Sequence, residues 1–85
     1  MTQVTILMGS ASDKPIAQKA EKILDKMNIT FETYVASAHR TPARVVEVIE
    51  NSSADVFIAL AGLSAALPGV VAAHTLKPVI GVPCA

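Results

Sequence analysis

The sequence predicts a three-layer α/β/α fold, in which helices cover both faces of a parallel β-sheet. Short apolar segments alternate with longer amphipathic ones in the order β-α-β-α-β-α-β. The composition is 52% hydrophobic but only 4% aromatic, so the core must consist of Val, Ile, Leu and Ala. Sheets covered on both faces prefer these residues. At 85 residues, the chain is expected to form one α/β domain, residues 1–85.

Four segments are predicted to be strands. Val4–Met8 and Val56–Leu60 are short apolar runs, typical of strands buried on both faces, and Val79–Val82 is predicted to be the fourth strand. Along Thr30–Ala36, successive side chains point to opposite faces of the strand. One of these faces, with Glu32, Tyr34 and Ala36, mixes polar and apolar residues, which predicts an edge strand. Parallel strands joined by right-handed helical crossovers then favour the strand order 2-1-3-4, the flavodoxin-like arrangement.

Three segments between the strands are predicted to be helices. The first starts after Asp13 and ends near Asn28, and the second starts at Pro42 with Thr41 as its N-cap. The third has Pro68 in its first turn. The apolar stripe of the first helix consists of Ile16, Ala20, Ile23, Leu24 and Met27. The stripe of the second helix consists of Val45, Val48 and Ile49.

Charge and cysteine content exclude several classes of function. Seven basic and seven acidic residues cancel, so neither nucleic acid nor an anionic membrane is an expected partner. The single cysteine, Cys84, cannot form an internal disulfide or a cysteine-based metal site, and it has no neighbouring base in the sequence. No His, Asp and Glu cluster has metal-ligand spacing. Without a signal peptide or an unbroken apolar span, the expected location is the cytoplasm.

The loops after the first three strands are the candidate functional segments, because parallel strands bring their C-terminal ends to one edge of the sheet. In the first loop, residues 9–13, the hydroxyls of Ser10 and Ser12 and the free N–H groups at a helix start suit a phosphate. The Asp13 carboxylate would repel a phosphate and suits ribose hydroxyls better. The alternative is that Ser12 or Asp13 only caps the helix.

The second loop contains the most specific pair, His39 and Arg40. His39 can move a proton near neutral pH, and Arg40 can clamp a phosphate or carboxylate. An isolated pair of this kind is more often a surface feature. The shared edge with the first loop favours a functional role, because anion-binding groups and a proton carrier converge there.

The third loop, residues 61–69, has no titratable side chain. Its small residues would allow either close approach of a flat ligand or tight packing of helix on sheet, and the sequence leaves both alternatives open. His74 lies late in the third helix, at the end away from this edge, so a catalytic role is not expected for it.

Four short segments together resemble a known family. They appear in family order and span almost the whole chain: Met8–Asp13, Ser37–Pro42, Ala61–Gly62 with Leu67–Gly69, and Pro78–Pro83. The family comprises the N5-carboxyaminoimidazole ribonucleotide mutases and the aminoimidazole ribonucleotide carboxylases of purine biosynthesis. Its chains are about twice as long, so the resemblance covers an N-terminal portion that ends after the fourth strand.

The resemblance implies an imidazole ribonucleotide as substrate and no metal or other cofactor. His39 then resembles the family's general acid/base, and Asp13 resembles its ribose contact. The phosphate-binding groups would be Ser10, Ser12, Ser37 and Arg40. The family forms homo-oligomers, octamers with shared active sites. The direct carboxylase reaction and a truncated, non-catalytic binding or assembly module stay open as alternatives, the latter because Ala66 stands where the family usually has histidine.

Overall fold

The structure, a computed structural model, describes residues 2–62 and 66–84. The strands are β1 (Val4–Met8), β2 (Phe31–Val35), β3 (Val56–Ala61) and β4 (Val79–Pro83). Within the described residues they form one parallel sheet in the order β2-β1-β3-β4. The predicted α/β fold and its 2-1-3-4 strand order are therefore confirmed.

The helices lie on the two faces of the sheet. They are α1 (Lys14–Lys26), α2 (Pro42–Asn51) and α3 (Ala66–Ala73), and a short 3-10 turn, Ala11–Asp13, precedes α1. One face carries α1, which packs on β1 and β2, and the other face carries α2 and α3. No helix in the described part of the chain is long and apolar enough to cross a membrane.

Two apolar clusters hold the layers together. On the side of α2 and α3, Phe57 and Leu7 are buried against Val45 of α2 and Val71 of α3. Burying each side chain of this size contributes about 1.5–3 kcal/mol relative to leaving it in water. The cluster on the side of α1 consists of Val4, Ile6, Met8, Ala17 and Leu60. The sheet is thus covered mainly by aliphatic side chains on both faces, as the composition predicts, and Phe57 is an aromatic exception.

The apolar stripe predicted for α1 is only partly buried. Ile23 and Met27 are 59% and 63% exposed, whereas Ala17, which the stripe omits, is buried. The helix packs through Ile16, Ala17, Ala20 and Leu24; Ile23 lies beside this contact, and Met27 follows the last helical residue. The stripe of α2 is buried as predicted.

The end of α1 falls where the sequence places it. Asn28 has φ of 57°, the left-handed conformation that asparagine tolerates better than most residues. The turn lets Ile29 N–H donate to the Leu24 carbonyl at 2.9 Å and Asn28 N–H donate to the Asp25 carbonyl at 3.1 Å. This pair of bonds is the Schellman arrangement, which ends the helix and directs the chain into β2.

Candidate active site

A cavity of about 270 Å³ lies at the C-terminal edge of the sheet. Its walls come from the loops that follow β1, β2 and β3 and from the first turn of α3. The site cavity is lined by Gly9, Ser10, Ser12, Asp13, Ser37, Ala38, His39, Ala61, Gly62, Ala66 and Leu67. The structure therefore brings five of the six predicted site residues to one cavity: Ser10, Ser12, Asp13, Ser37 and His39.

The first wall is a turn held by its own serines. Ser10 Oγ accepts a hydrogen bond from Ser12 N–H at 3.3 Å, and the two hydroxyl oxygens lie 2.9 Å apart. Ser10 thus caps the 3-10 turn, and Asp13 N–H donates to the Ser10 carbonyl. Although Asp13 occupies the N-cap position of α1, its side chain makes no capping bond and lines the site cavity instead. The helix-capping alternative for Asp13 is therefore not the arrangement found.

The second wall contains His39 and is fixed by Ser37 and Thr41. Ser37 Oγ accepts from the backbone N–H of His39 at 3.2 Å and of Arg40 at 3.1 Å. Thr41 Oγ1 accepts from Ser37 N–H at 2.9 Å, so this hydroxyl does not cap α2 as predicted. These bonds hold the loop in a closed turn, from which the exposed His39 side chain borders the site cavity.

Arg40 does not line the site cavity. Its guanidinium lies in an adjoining cleft with Gly9, Val35, Ser37 and Thr41, where Nη2 donates to the Gly9 carbonyl at 3.3 Å. The bond ties the second loop to the first. Gly9 and Ser37 border both spaces, so the guanidinium lies next to the site cavity without lining it.

The third wall is apolar and comes from the end of β3 and the start of α3. Ala61, Gly62, Ala66 and Leu67 supply it, whereas Leu63–Ala65 lie outside the described residues. A Cβ on Gly81 of β4 would lie 3.2 Å from Pro68 Cβ. The glycine therefore permits the close packing that holds the first turn of α3 against the sheet.

Cys84 lies beside Asp13, a neighbour that the sequence alone does not indicate. Cys84 N–H donates to the Ala61 carbonyl at 2.8 Å, which places the residue just past β4 at the cavity's edge of the sheet. Burial raises the pKa of the Cys84 thiol, and the negative charge of Asp13 raises this pKa further. The signal that could have found this pair is the parallel order itself, since the end of β4 reaches the same edge as the start of α1.

The second histidine lies away from the site cavity. His74 follows the last residue of α3, at the end opposite the cavity, and its Nδ1 lies 2.8 Å from the Val70 carbonyl, to which it donates. Among the described residues, no group of three or more His, Cys, Asp or Glu side chains is arranged to hold a metal ion. His39 is thus the one imidazole at the site cavity.

Comparison with known proteins gives the family. A profile of the family described as AIR carboxylase matches residues 3–85. The chain belongs to the AIR carboxylase family. It is 61% identical over 80 residues to the N5-carboxyaminoimidazole ribonucleotide mutase of Methanocaldococcus jannaschii, covering 94% of this chain and 51% of that protein. It is 48% identical over 84 residues to the mutase of Haemophilus influenzae, covering 95% and 51%.

Solved structures agree with this assignment. The crystal structure of Treponema denticola PurE matches with a TM-score of 0.90 and 31% sequence identity, over 99% of this chain and 56% of that one. A second crystal structure, of a single-residue variant of Treponema denticola PurE2, matches with a TM-score of 0.91 over the same shares. This AIR carboxylase family chain spans about half the length of the relatives named here.

Proposed function

We propose that this chain contributes the catalytic cavity of an N5-carboxyaminoimidazole ribonucleotide mutase in purine biosynthesis. The reaction moves a carboxylate from the exocyclic N5 to C4 of the imidazole. The observation that supports this function is one imidazole, His39, at a cavity that also carries three serine side chains and a carboxylate. The relatives from M. jannaschii and H. influenzae carry the mutase name, which adds to the proposal.

His39 would act as both acid and base. Its imidazolium protonates N5 as the N5–carboxylate bond breaks, which releases CO2 and leaves aminoimidazole ribonucleotide and a neutral imidazole. C4 then attacks the carbon of CO2, and the same imidazole takes the proton from C4. The proton is returned to its donor, so the cycle needs no external acid or base.

The remaining groups would hold the two reactants in place. The hydroxyls of Ser10, Ser12 and Ser37, with Arg40 turned to the cavity mouth, would bind the phosphate, and Asp13 would accept hydrogen bonds from the ribose. A site of this size would hold CO2 beside C4, which replaces a bimolecular encounter with a positioned one. The small apolar third wall, including Ala66, would contact the flat imidazole ring.

Replacing His39 with Asn tests the proposed chemistry. We expect loss of carboxylate transfer, followed by ¹³C NMR of a labelled carboxylate, while the ribonucleotide still binds in calorimetry. His74→Asn is the matched control, because that imidazole lies at the other end of α3, and it should leave transfer unchanged. Full turnover by the His39 variant would remove His39 from the mechanism.

A second candidate is a non-catalytic nucleotide-binding or assembly module. It is favoured by Ala66 in the cavity wall, at the position where the family usually has histidine. Ribonucleotide binding without ¹³C transfer in the unmodified chain would support it. Formation of carboxylated product from aminoimidazole ribonucleotide and CO2, without turnover of the N5-carboxylated compound, would instead indicate the direct carboxylase.

The proposed enzyme would work as a cytoplasmic homo-oligomer, because the family's active sites draw on neighbouring subunits. Light scattering on the purified chain measures the assembly directly. A strictly monomeric protein would favour the non-catalytic module over the mutase.

A further inference from the structure

The loop between β2 and α2, residues 37–41, is fixed at both of its ends. Before it, Ala36 is buried, and its N–H donates to the Met8 carbonyl of β1 at 2.9 Å. At its other end, the Thr41 carbonyl accepts the N–H of Val45 at 3.2 Å in the first turn of α2. Ala36 and Val45 belong to the same buried apolar cluster. The loop therefore bridges two supports that the core holds in place, and we call it the His39 loop.

The Thr41 hydroxyl closes the His39 loop on itself. Its oxygen accepts the Ser37 N–H at 2.9 Å, and the same hydroxyl donates to the Ser37 carbonyl at 3.3 Å. The Thr41 N–H donates to that carbonyl as well, at 2.9 Å. Three hydrogen bonds thus join the last residue of the loop to the first, and both backbone groups of Ser37 are held.

Ser37 transmits this constraint to His39. Because the N–H and C=O of Ser37 are both held, the direction of its side chain is set, and Oγ lies 3.2 Å from the His39 N and 3.1 Å from the Arg40 N. Among residues 2–62 and 66–84, no group hydrogen-bonds the His39 imidazole. The position of the ring at the site cavity therefore depends on the backbone turn that carries it.

We propose that Thr41 is a positioning residue, whose hydroxyl holds the His39 imidazole at the site cavity through Ser37. This role rests on the proposed function of His39 as acid and base. Thr41 does not line the site cavity, so it acts only through other residues. Its hydroxyl makes no capping bond to α2 either, although threonine at an N-cap commonly does. Loss of the hydroxyl should therefore disturb the His39 loop more than the helix.

The two proposed tasks of the His39 loop should respond differently to this loss. Phosphate binding would be shared with Ser10 and Ser12, which a separate loop holds, whereas proton transfer depends on one imidazole. A reacting group displaced by about 1 Å can cost roughly a hundredfold in rate. Without the Thr41 hydroxyl, kcat should therefore fall by a larger factor than KM rises.

Thr41→Val and Thr41→Ser test this role. Valine keeps the β-branched shape without the hydroxyl, whereas serine keeps the hydroxyl. In the ¹³C transfer assay, Thr41→Val should lower kcat roughly tenfold or more with a smaller rise in KM. Thr41→Ser should restore most of the rate. Thr75→Val is the matched control, because the Thr75 hydroxyl also accepts a backbone N–H, from Lys77 at 3.1 Å, but between α3 and β4. It should leave kcat and KM unchanged.

Exchange of backbone amide protons with water, measured by NMR on the ligand-free chain, tests the same role without turnover. The His39 N–H should exchange severalfold faster in Thr41→Val than in the unmodified chain or in Thr41→Ser, because the Ser37 oxygen is no longer held against it. An unchanged His39 amide in Thr41→Val would overturn the proposal, as would no recovery in Thr41→Ser or an equal loss of kcat in Thr75→Val. If the unmodified chain transfers no carboxylate, the proposed catalysis fails and the amide result alone decides the role of Thr41.

Discussion

Ser37 shows how one hydroxyl can hold a loop and still serve a ligand. Its oxygen accepts the backbone N–H groups of His39 and Arg40, which uses its acceptor capacity. Its own O–H remains a donor at the border of the site cavity. A phosphate oxygen needs a donor, so the position of Ser37 is compatible with both roles.

Arg40 is expected to contribute to phosphate binding, but its net contribution is reduced because an existing hydrogen bond must break first. Its guanidinium donates to the Gly9 carbonyl, and this bond must be released before the side chain turns to the site cavity. Arg40→Ala should therefore weaken ribonucleotide binding by about 1.5 kcal/mol, the lower end of the range for hydrogen bonds to charged groups. Isothermal calorimetry measures this difference.

Arg44→Ala controls for the loss of a positive charge near the same strand end. Arg44 Nε donates to the Val35 carbonyl at 3.1 Å, and its side chain lines neither the site cavity nor the cleft of Arg40. It should bind ribonucleotide normally. If Arg40→Ala lowers the affinity for the dephosphorylated nucleoside as much as for the nucleotide, the phosphate role assigned to Arg40 is wrong.

The Cys84 thiol should react slowly near neutral pH. Burial and the Asp13 charge raise its pKa, so less thiolate is present at a given pH, and alkylation should accelerate only as the pH rises further. Asp13→Asn removes the charge and should shift the rate-against-pH curve for iodoacetamide to lower pH. Asp25→Asn, an exposed change near the other end of α1, should not. Equal curves for both variants would contradict the Asp13 effect.

At the scale of elements, a hydrogen bond between β1 and the end of α2 joins a strand to its covering helix. Thr5 is fully buried, and its Oγ1 lies 2.7 Å from Ser52 Oγ at the C-cap of α2. Ser52 Oγ also accepts Ala54 N–H at 3.1 Å. The pair therefore satisfies a buried hydroxyl and fixes the connection from α2 into β3.

Ser52→Ala should destabilise the fold by about 1–3 kcal/mol, because it leaves the Thr5 hydroxyl buried without a partner. Urea unfolding followed by circular dichroism measures the change. Adding Thr5→Val should recover part of the loss, since it removes the unpaired group, although the bond to Ala54 stays lost. Ser53→Ala, an exposed change one residue away, is the control, and equal stability of the two single variants would refute the argument.

At the scale of the molecule, the strands and their order followed from the sequence because periodicity and connection length determine them. The continuous apolar runs at Val4–Met8 and Val56–Leu60 predicted burial on both faces, and the alternation near Phe31 indicated an edge. Because parallel strands end at the same edge of the sheet, the loops after β1, β2 and β3 were expected to meet there. Most of the candidate site could thus be placed without coordinates.

The structure differs from the sequence predictions where a side chain has several possible hydrogen-bond partners nearby. Thr41 bonds to Ser37 instead of capping α2, and Asp13 turns to the site cavity although it stands at an N-cap position. The guanidinium of Arg40 takes the carbonyl of Gly9. The Arg40 bond depends on the relative position of two loops, and the arrangements of Thr41 and Asp13 depend on the backbone turn of their own loops. Local sequence patterns contain neither.

The strand order also has a consequence for how the chain folds as it is synthesised. The first strand made, β1, is central, and its partners in the sheet begin at Phe31 and Val56. Loop closure must precede both pairings, so folding should be slower than in a helical bundle of equal length. Until β3 leaves the ribosome, one edge of β1 is unpaired, and the nascent chain is most prone to aggregate during that interval.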